Sequence, residues 1–194
     1  MRLTGTEDLR IRRSITNIRQ AFETLICEKK YAAITVKELA DRAMINKKTF
    51  YQYYNSLDDL LAELKADFSS SYLKLIADYE IPRDMDKINR MFFTFSASAG
   101  EVYDRITCSG DYGVIQKDMM DSTMRDFWHN SRWFRSFDEY TQRIILQYIQ
   151  VSTVGIYRQW VEDGKMMPLE GLIQLSSNLI YRGMDYLGVG IRCS

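Results

Sequence analysis

The chain has 194 residues, 46% of them hydrophobic, with only two prolines and ten glycines, which allows one or two small domains with a real core and argues against long disordered tracts. No apolar run reaches the roughly 18 residues of a membrane span, no hydrophobic leader opens the sequence, and three scattered cysteines (Cys27, Cys108, Cys193) suit a reducing, cytoplasmic setting. Formal net charge is zero, yet residues 1–55 hold eleven Lys/Arg against six Asp/Glu, +5, leaving −5 on the rest: a basic head on an acidic body, as in a nucleic-acid-binding end joined to something else.

Nearly everything reads as helix. From Arg10 to Lys29 the apolar residues Ile11, Ile15, Ile18, Phe22 and Leu25 recur every three or four positions, one buried face of an amphipathic helix. Tyr31–Ile34 is a connector. Thr35 with Glu38 forms a capping box that opens a short helix, Val36 to Ala43, burying Val36, Leu39 and Ala40. Met44-Ile45 makes a turn, and Asn46 is a good N-cap for a helix from Lys47 to Tyr54. Asn55-Ser56 breaks the pattern. Ser56 and Asp59 then cap a long helix to about Tyr79 that carries Leu57, Leu60, Leu61, Leu64, Phe68 and Leu75 on its apolar side. Pro82 marks a boundary. Further helices are predicted near Asp84–Ala97, Gly100–Cys108, Tyr112–Trp128, Phe137–Asp163 and Leu169–Leu187, with Gly164 as a C-cap and Pro168 setting the start of the last. The fold class is all-α. The predicted division is a three-helix domain over 1–55, closed by the start of the next helix, and a second helical domain over 56–194.

Two short helices around a tight turn make a helix-turn-helix, whose second helix enters the DNA major groove. On Lys47–Tyr54, Phe50 and Tyr54 are four apart and share the face that packs inward. Lys47, Lys48, Thr49, Tyr51, Gln52 and Tyr53 are left outside. Lysines neutralise phosphates or reach guanine edges, threonine meets a phosphate or a thymine methyl, glutamine pairs with adenine, and tyrosine hydroxyls donate to phosphate oxygens. Thr35 and Lys37, on the preceding short helix, complete the candidate DNA-binding set. An isolated Lys-Lys pair is usually just solvated; here a capping box, a turn, an N-cap and a basic head accompany it.

The run Thr35-Val36-Lys37-Glu38-Leu39-Ala40, then Ala43 through Tyr54, then Leu60-Leu61, resembles the DNA-binding domain of the TetR/AcrR regulators. The family's T-[VI]-x-x-[IL]-A, its T-[FL]-Y-x-[YH]-[FY] and the Leu-Leu that follows all fall in register. The stretch Ile106–Asp111 and Trp160–Gly164 are similar to a Gram-positive-type subgroup that includes regulators of dihydroxyacetone kinase operons. Three departures stand out: Met44 where the family often has glycine in the turn, Lys48 where glycine often follows the first residue of the recognition helix, and Leu57 where a phosphate-holding lysine commonly starts the fourth helix. The resemblance implies a cytoplasmic homodimer that binds a palindromic site on double-stranded DNA, a repressor as a rule, responsive to a small-molecule effector.

In the acidic body, Ile144, Tyr148, Val151, Ser152, Gly155 and Gln159 lie at helical spacing, as do Leu172, Ser176, Leu179, Ile180, Gly183 and Leu187. Small residues there permit close helix approach, either between subunits or inside one. The resemblance implies a four-helix dimer bundle, so Tyr148, Ser152, Gly155, Ser176, Leu179 and Gly183 are the expected dimer contacts. The middle helices are rich in aromatics and methionine, which suit an apolar ligand as well as an ordinary core. The effector pocket that the family implies is expected to involve Phe92, Tyr103, Phe127, Trp128 and Tyr148. Enzyme readings find no support: no catalytic residue, metal site or cofactor is expected. His129 is the single histidine, in a segment 128–131 expected to be exposed, Asp118 and Asp121 are ordinary helix carboxylates, and no P-loop, dinucleotide fingerprint, CxxC or HExxH occurs. The alternative is a helical protein-interaction module or coactivator with a weak DNA-binding head.

Overall fold

The structure, a computed structural model, describes residues 9–108 and 126–184, the last four of these as backbone. Every regular element among the described residues is helical. In chain order they are α1 (Leu9–Glu28), a 3-10 turn at Tyr31–Ala33, α2 (Val36–Arg42), α3 (Lys47–Tyr53), α4 (Leu57–Ile76), α5 (Met85–Ser98), α6 (Glu101–Cys108), α7 (Arg132–Arg135), α8 (Glu139–Glu162) and α9 (Leu169–Met184). The helix expected over Tyr112–Trp128 lies outside the described residues except for its end. The four-residue α7, not expected from the sequence, is started by Ser131, whose hydroxyl accepts from the Phe134 amide.

Two compact units form. The first contains the described residues up to Phe68 together with α6; the second contains Ser69–Gly100 and the described residues from Asp126 onward. The long helix α4 therefore contributes to both.

The first unit closes over Ile18, Phe22, Leu25, Ile26, Leu39, Phe50, Tyr54, Leu60 and Leu61, all nearly fully buried. The face predicted for α1 is buried from Ile15 onward, with Ile11 half-buried, and Phe50 and Tyr54 turn inward as their spacing requires. Local signals account for the element starts. The Thr35 hydroxyl accepts from the Glu38 amide at 3.2 Å. Only half of the predicted capping box forms, because the Glu38 carboxylate is drawn to Lys29 Nζ, 2.6 Å away, instead of back to Thr35. Asn46 caps α3 through a 2.9 Å bond from the Lys48 amide. Ser56 Oγ accepts from the Asp59 amide at 3.1 Å, and the Asp59 carboxylate accepts from the Asn55 amide at 3.0 Å.

The turn between α2 and α3 carries strain. The Ile45 amide reaches back to the Ala40 carbonyl (3.0 Å) and the Met44 amide to that of Asp41 (3.2 Å). This paired closure needs a left-handed residue at its centre, usually glycine. Met44 occupies it at φ 54°, where a side chain costs about 1–2 kcal/mol. The residue is 86% exposed, so packing returns little for that cost. Met44→Gly is expected to stabilise the protein by about 1 kcal/mol, raising Tm by about 2–4 °C in a thermal melt. An unchanged or lower Tm would mean that the methionine packs in a way its exposure hides. At the end of α8 the same closure is built with Gly164 at φ 68°, the C-cap expected from sequence.

A polar lock ties α1 and the end of α3 to α4. Arg19 pairs with Glu63 at 3.5 Å and, at closer range, with Asp67. The Tyr54 hydroxyl donates to Glu63 Oε1 at 3.1 Å. Burial, reinforced by the neighbouring Glu63 charge, holds the Tyr54 phenol well above its ordinary pKa, so it stays a donor. Tyr31 donates likewise to Asp58.

In the second unit Tyr72, Phe92, Phe93, Tyr157 and Trp160 form a chain of edge-on and tilted ring contacts, with the Tyr157 hydroxyl donating to the Ser96 carbonyl at 2.8 Å. A second cluster gathers Ile81, Met85, Trp128, Phe134, Ile145 and Ile180. Two expectations are corrected here. Leu75 is exposed, and Tyr72 and Ile76 are the inward residues of that part of α4. Trp128, expected in an exposed segment, is buried edge-on against Phe134, while His129 beside it is exposed.

Candidate nucleic-acid interface

The residues expected to meet DNA sit on the first unit's helices α2 and α3. Thr35, Lys37, Lys47, Lys48, Tyr51 and Gln52 are exposed and Thr49 is half-buried. Tyr53 departs from expectation: it packs partly against the core, leaving only part of its surface outward. The Tyr51 ring stands edge-on to buried Phe50, centroids 5.4 Å apart, which holds it at the outer edge of α3. The Thr35 hydroxyl serves as the α2 cap, which fixes its position at the surface.

Electrostatics separates two groups among the head's cations. Arg19, Lys29 and Arg42 are tied to carboxylates: Arg19 to Glu63 and Asp67, Lys29 to Glu38, Arg42 to Glu28 at 2.6 Å. Lys37, Lys47 and Lys48 pair with no carboxylate among the described residues. The first turn of α3 also lacks an acid, so two lysines sit at the positive end of a helix dipole, an arrangement that costs the isolated protein a few tenths of a kcal/mol, up to about 1. An anion outside the chain removes that cost.

Residues 18–64 match the family described as bacterial regulatory proteins, tetR family. The matched span covers most of α1, the whole helix-turn-helix and the first part of α4. Over that span the chain carries a TetR-family domain.

Solved structures of transcriptional regulators share its fold over nearly the whole length. NalD, the secondary repressor of the MexAB-OprM multidrug efflux pump in Pseudomonas aeruginosa, superposes with a TM-score of 0.67 at 15% identity, covering 90% of this chain and 96% of that one. The fatty acid degradation regulator FadR from Bacillus halodurans gives 0.60 at 18% identity, with 93% and 97% covered. The dihydroxyacetone kinase operon activator DhaS gives 0.51 at 19% identity, with 89% and 97% covered. At these identities the likeness is one of fold. Among curated proteins no significant sequence match is found. TetR-family regulators are DNA-binding proteins, not enzymes, and no group of three or more potential metal ligands gathers among the described residues. No helix among them is long and apolar enough to cross a membrane.

The residues expected for a TetR-type effector pocket are scattered. Phe92 lies inside the aromatic chain of the second unit, and Trp128 and half-buried Phe127 belong to the cluster around Phe134. Tyr103 packs edge-on against Phe68 in the first unit, and Tyr148 stands at the surface with its hydroxyl donating to the Leu179 carbonyl at 3.2 Å. Only Phe92, Phe127 and Trp128 therefore contribute to the second unit's interior.

The expected dimer contacts divide as well. Tyr148, Gly155 and Leu179 are exposed, Ser152 is half-buried, and Gly183 lies on α9. Ser176 is a correction: it is wholly enclosed, its hydroxyl 3.2 Å from Asn89 Oδ1, while Asn89 Nδ2 donates to Ser177 Oγ at 3.0 Å and Ser177 donates to Asp86 at 2.8 Å. That small residue serves α5–α9 packing inside one subunit. Sequence reasoning missed the outward apolar residues that continue the face, Tyr140 and Leu175. Their spacing four residues from Ile144 and Leu179 was the available signal.

Proposed function

We propose that the chain is a homodimeric, ligand-responsive transcriptional repressor that binds a palindromic operator through α2 and α3, with residues 1–55 as the DNA-binding domain and 56–194 as the effector and dimerisation domain, working in the cytoplasm. The observation that carries this reading is the division of the head's cations. Arg19 is neutralised by carboxylates of α4, and Lys29 and Arg42 by carboxylates of α2 and α1, while Lys37, Lys47 and Lys48, exposed on α2 and α3, are left for an anion. Gln52 and Thr49 supply groups able to read base edges, and Tyr51 a hydroxyl for phosphate. Two heads in successive major grooves sit about 34–36 Å apart, or a multiple, and so call for a palindrome. DNA is released when an effector held among the aromatic side chains of the second unit favours a dimer with the wrong head spacing. A near-complete switch needs about 5.5 kcal/mol of differential affinity. The fold by itself serves a repressor in NalD and an activator in DhaS; repression follows if the operator overlaps a promoter.

Selection of bound fragments from genomic DNA, followed by titrations at several salt concentrations, tests the reading. A single enriched palindrome is expected. The double substitution Lys47→Ala, Lys48→Ala is expected to lower the slope of log K against log salt by about 0.9 for each phosphate that a head no longer neutralises. An unchanged slope would remove these lysines from the interface, and no preferred sequence would replace the regulator with a non-specific DNA-binding protein.

A further inference from the structure

The DNA-binding reading accounts for α2 and α3 but leaves a second group of exposed cations on the same unit: Arg10, Arg12 and Arg13 near the start of α1. The first turn of α1 contains no acid, whereas those of α2, α4, α5, α6, α8 and α9 each contain at least one. In the sequence, Glu7 lies three positions before Arg10 and Asp8 four before Arg12, the spacings at which helix neighbours meet. Arg13 has no acidic residue three or four positions away on either side.

The contact that places this group is at Asn17. Its side-chain amide lies 3.5 Å from the Ala43 carbonyl, so α1 passes directly beside the turn of the helix-turn-helix. Arg13 is one helical turn before Asn17 and Arg10 two turns before it. At about 100° per residue, Arg13 and Arg10 fall within roughly 60° of the Asn17 direction. Arg12 projects about 140° or more away from it by the same geometry. Both Arg12 and Arg13 are exposed. Next to Ala43 the turn itself is open, with Met44 extending into solvent.

We propose that Arg13 is a phosphate-binding residue of the DNA interface, reaching the duplex backbone on the side of the helix-turn-helix turn away from Lys47 and Lys48. The proposal rests on the DNA-binding reading above. An arginine fork matches phosphate oxygens with two parallel N–H donors, and a contact of this kind fixes the register of the head on the duplex without reading sequence. Arg12, with the same charge on the opposite side of the helix, serves as the internal comparison.

The test uses the full chain and a fluorescent mixed-sequence duplex of about 30 base pairs, long enough for two heads one DNA turn apart. Anisotropy titrations between 50 and 200 mM salt compare the wild type with Arg13→Ala, Arg13→Lys and Arg12→Ala, each checked for unchanged helicity by circular dichroism. Arg13→Ala is expected to lower the salt slope by about 0.9 per head, Arg12→Ala to leave it in place, and Arg13→Lys to retain it with weaker binding. Equal reductions from Arg12→Ala and Arg13→Ala would show a general charge effect and overturn the proposal. An unchanged slope for Arg13→Ala, with wild-type binding intact, would overturn it as well. Absence of salt-sensitive binding by the wild type would instead overturn the DNA-binding reading and this proposal with it.

Discussion

Val151→Asp is expected to convert the proposed dimer into a folded monomer and to abolish the proposed operator binding at concentrations that saturate the wild type. On α8 the side chains of Tyr140, Ile144, Tyr148 and Val151 project outward, and on α9 those of Leu175 and Leu179 join them. Val151 is 58% exposed and Ile144 69%, so substitution leaves the subunit's own core intact. Gly155 adds no side chain to this surface, and a Cβ built there meets nothing within 4 Å, which leaves the backbone open to close approach. A contiguous apolar face of this kind, carried on two helices, is unusual for a surface meant to stay in water. In a two-fold dimer every substitution enters the interface twice. Burying a carboxylate with no counter-ion costs several kcal/mol, and even about 3 kcal/mol is more than a hundredfold in the dimer Kd. Sedimentation of both proteins at micromolar concentration, with thermal melts, is the measurement. A wild-type monomer would refute the dimer itself. A variant that stays dimeric would place the interface on another face.

The helix-turn-helix was legible because its determinants are local. The Thr35 and Asn46 caps, the inward pair Phe50 and Tyr54, and the outward lysines are each fixed by residues within a turn or two of one another. What the sequence did not show depends on partners far along the chain. Glu38 abandons its expected cap for Lys29, which only the crossing of α1 and α2 brings near. Arg19 finds Glu63 and Asp67 more than forty residues away. Ser176, small and at helical spacing with the dimer residues, looked like a surface position. Its hydroxyl is instead matched to Asn89, and one residue's rotation around α9 decides which side it faces. The pocket expectation was weakest for the same reason. An aromatic residue announces burial but not its neighbours, and Tyr103 and Phe92 were placed in different units by topology alone. Met44 is the opposite case: the absent glycine was visible in the sequence, and the turn's hydrogen bonds now show that the left-handed geometry was kept regardless.

Lys65→Met is expected to stabilise the protein near neutral pH and to lose that advantage as the pH rises. Lys65 on α4 is 8% exposed. Burial pushes its amine down to about 8 from an ordinary 10.5, against the opposing pull of Asp58. In the unfolded chain the lysine is protonated up to about 10.4, so between 8 and that value the unfolded state binds more protons than the folded one. Stability of the wild type therefore rises with pH across this window. Below about 8 the folded protein retains the full cost of a buried ammonium; above the unfolded value that cost is gone. Methionine fills similar space with no charge to desolvate. Between pH 7 and pH 9.5 the wild type should gain about 2 kcal/mol relative to the variant, read as converging urea midpoints at constant ionic strength. Parallel curves would mean that the ammonium reaches water in solution. Convergence would show that α4, the helix shared by both units, holds a buried cation at a cost to stability, and would make this position the simplest one at which to alter the helix without touching the DNA-facing residues.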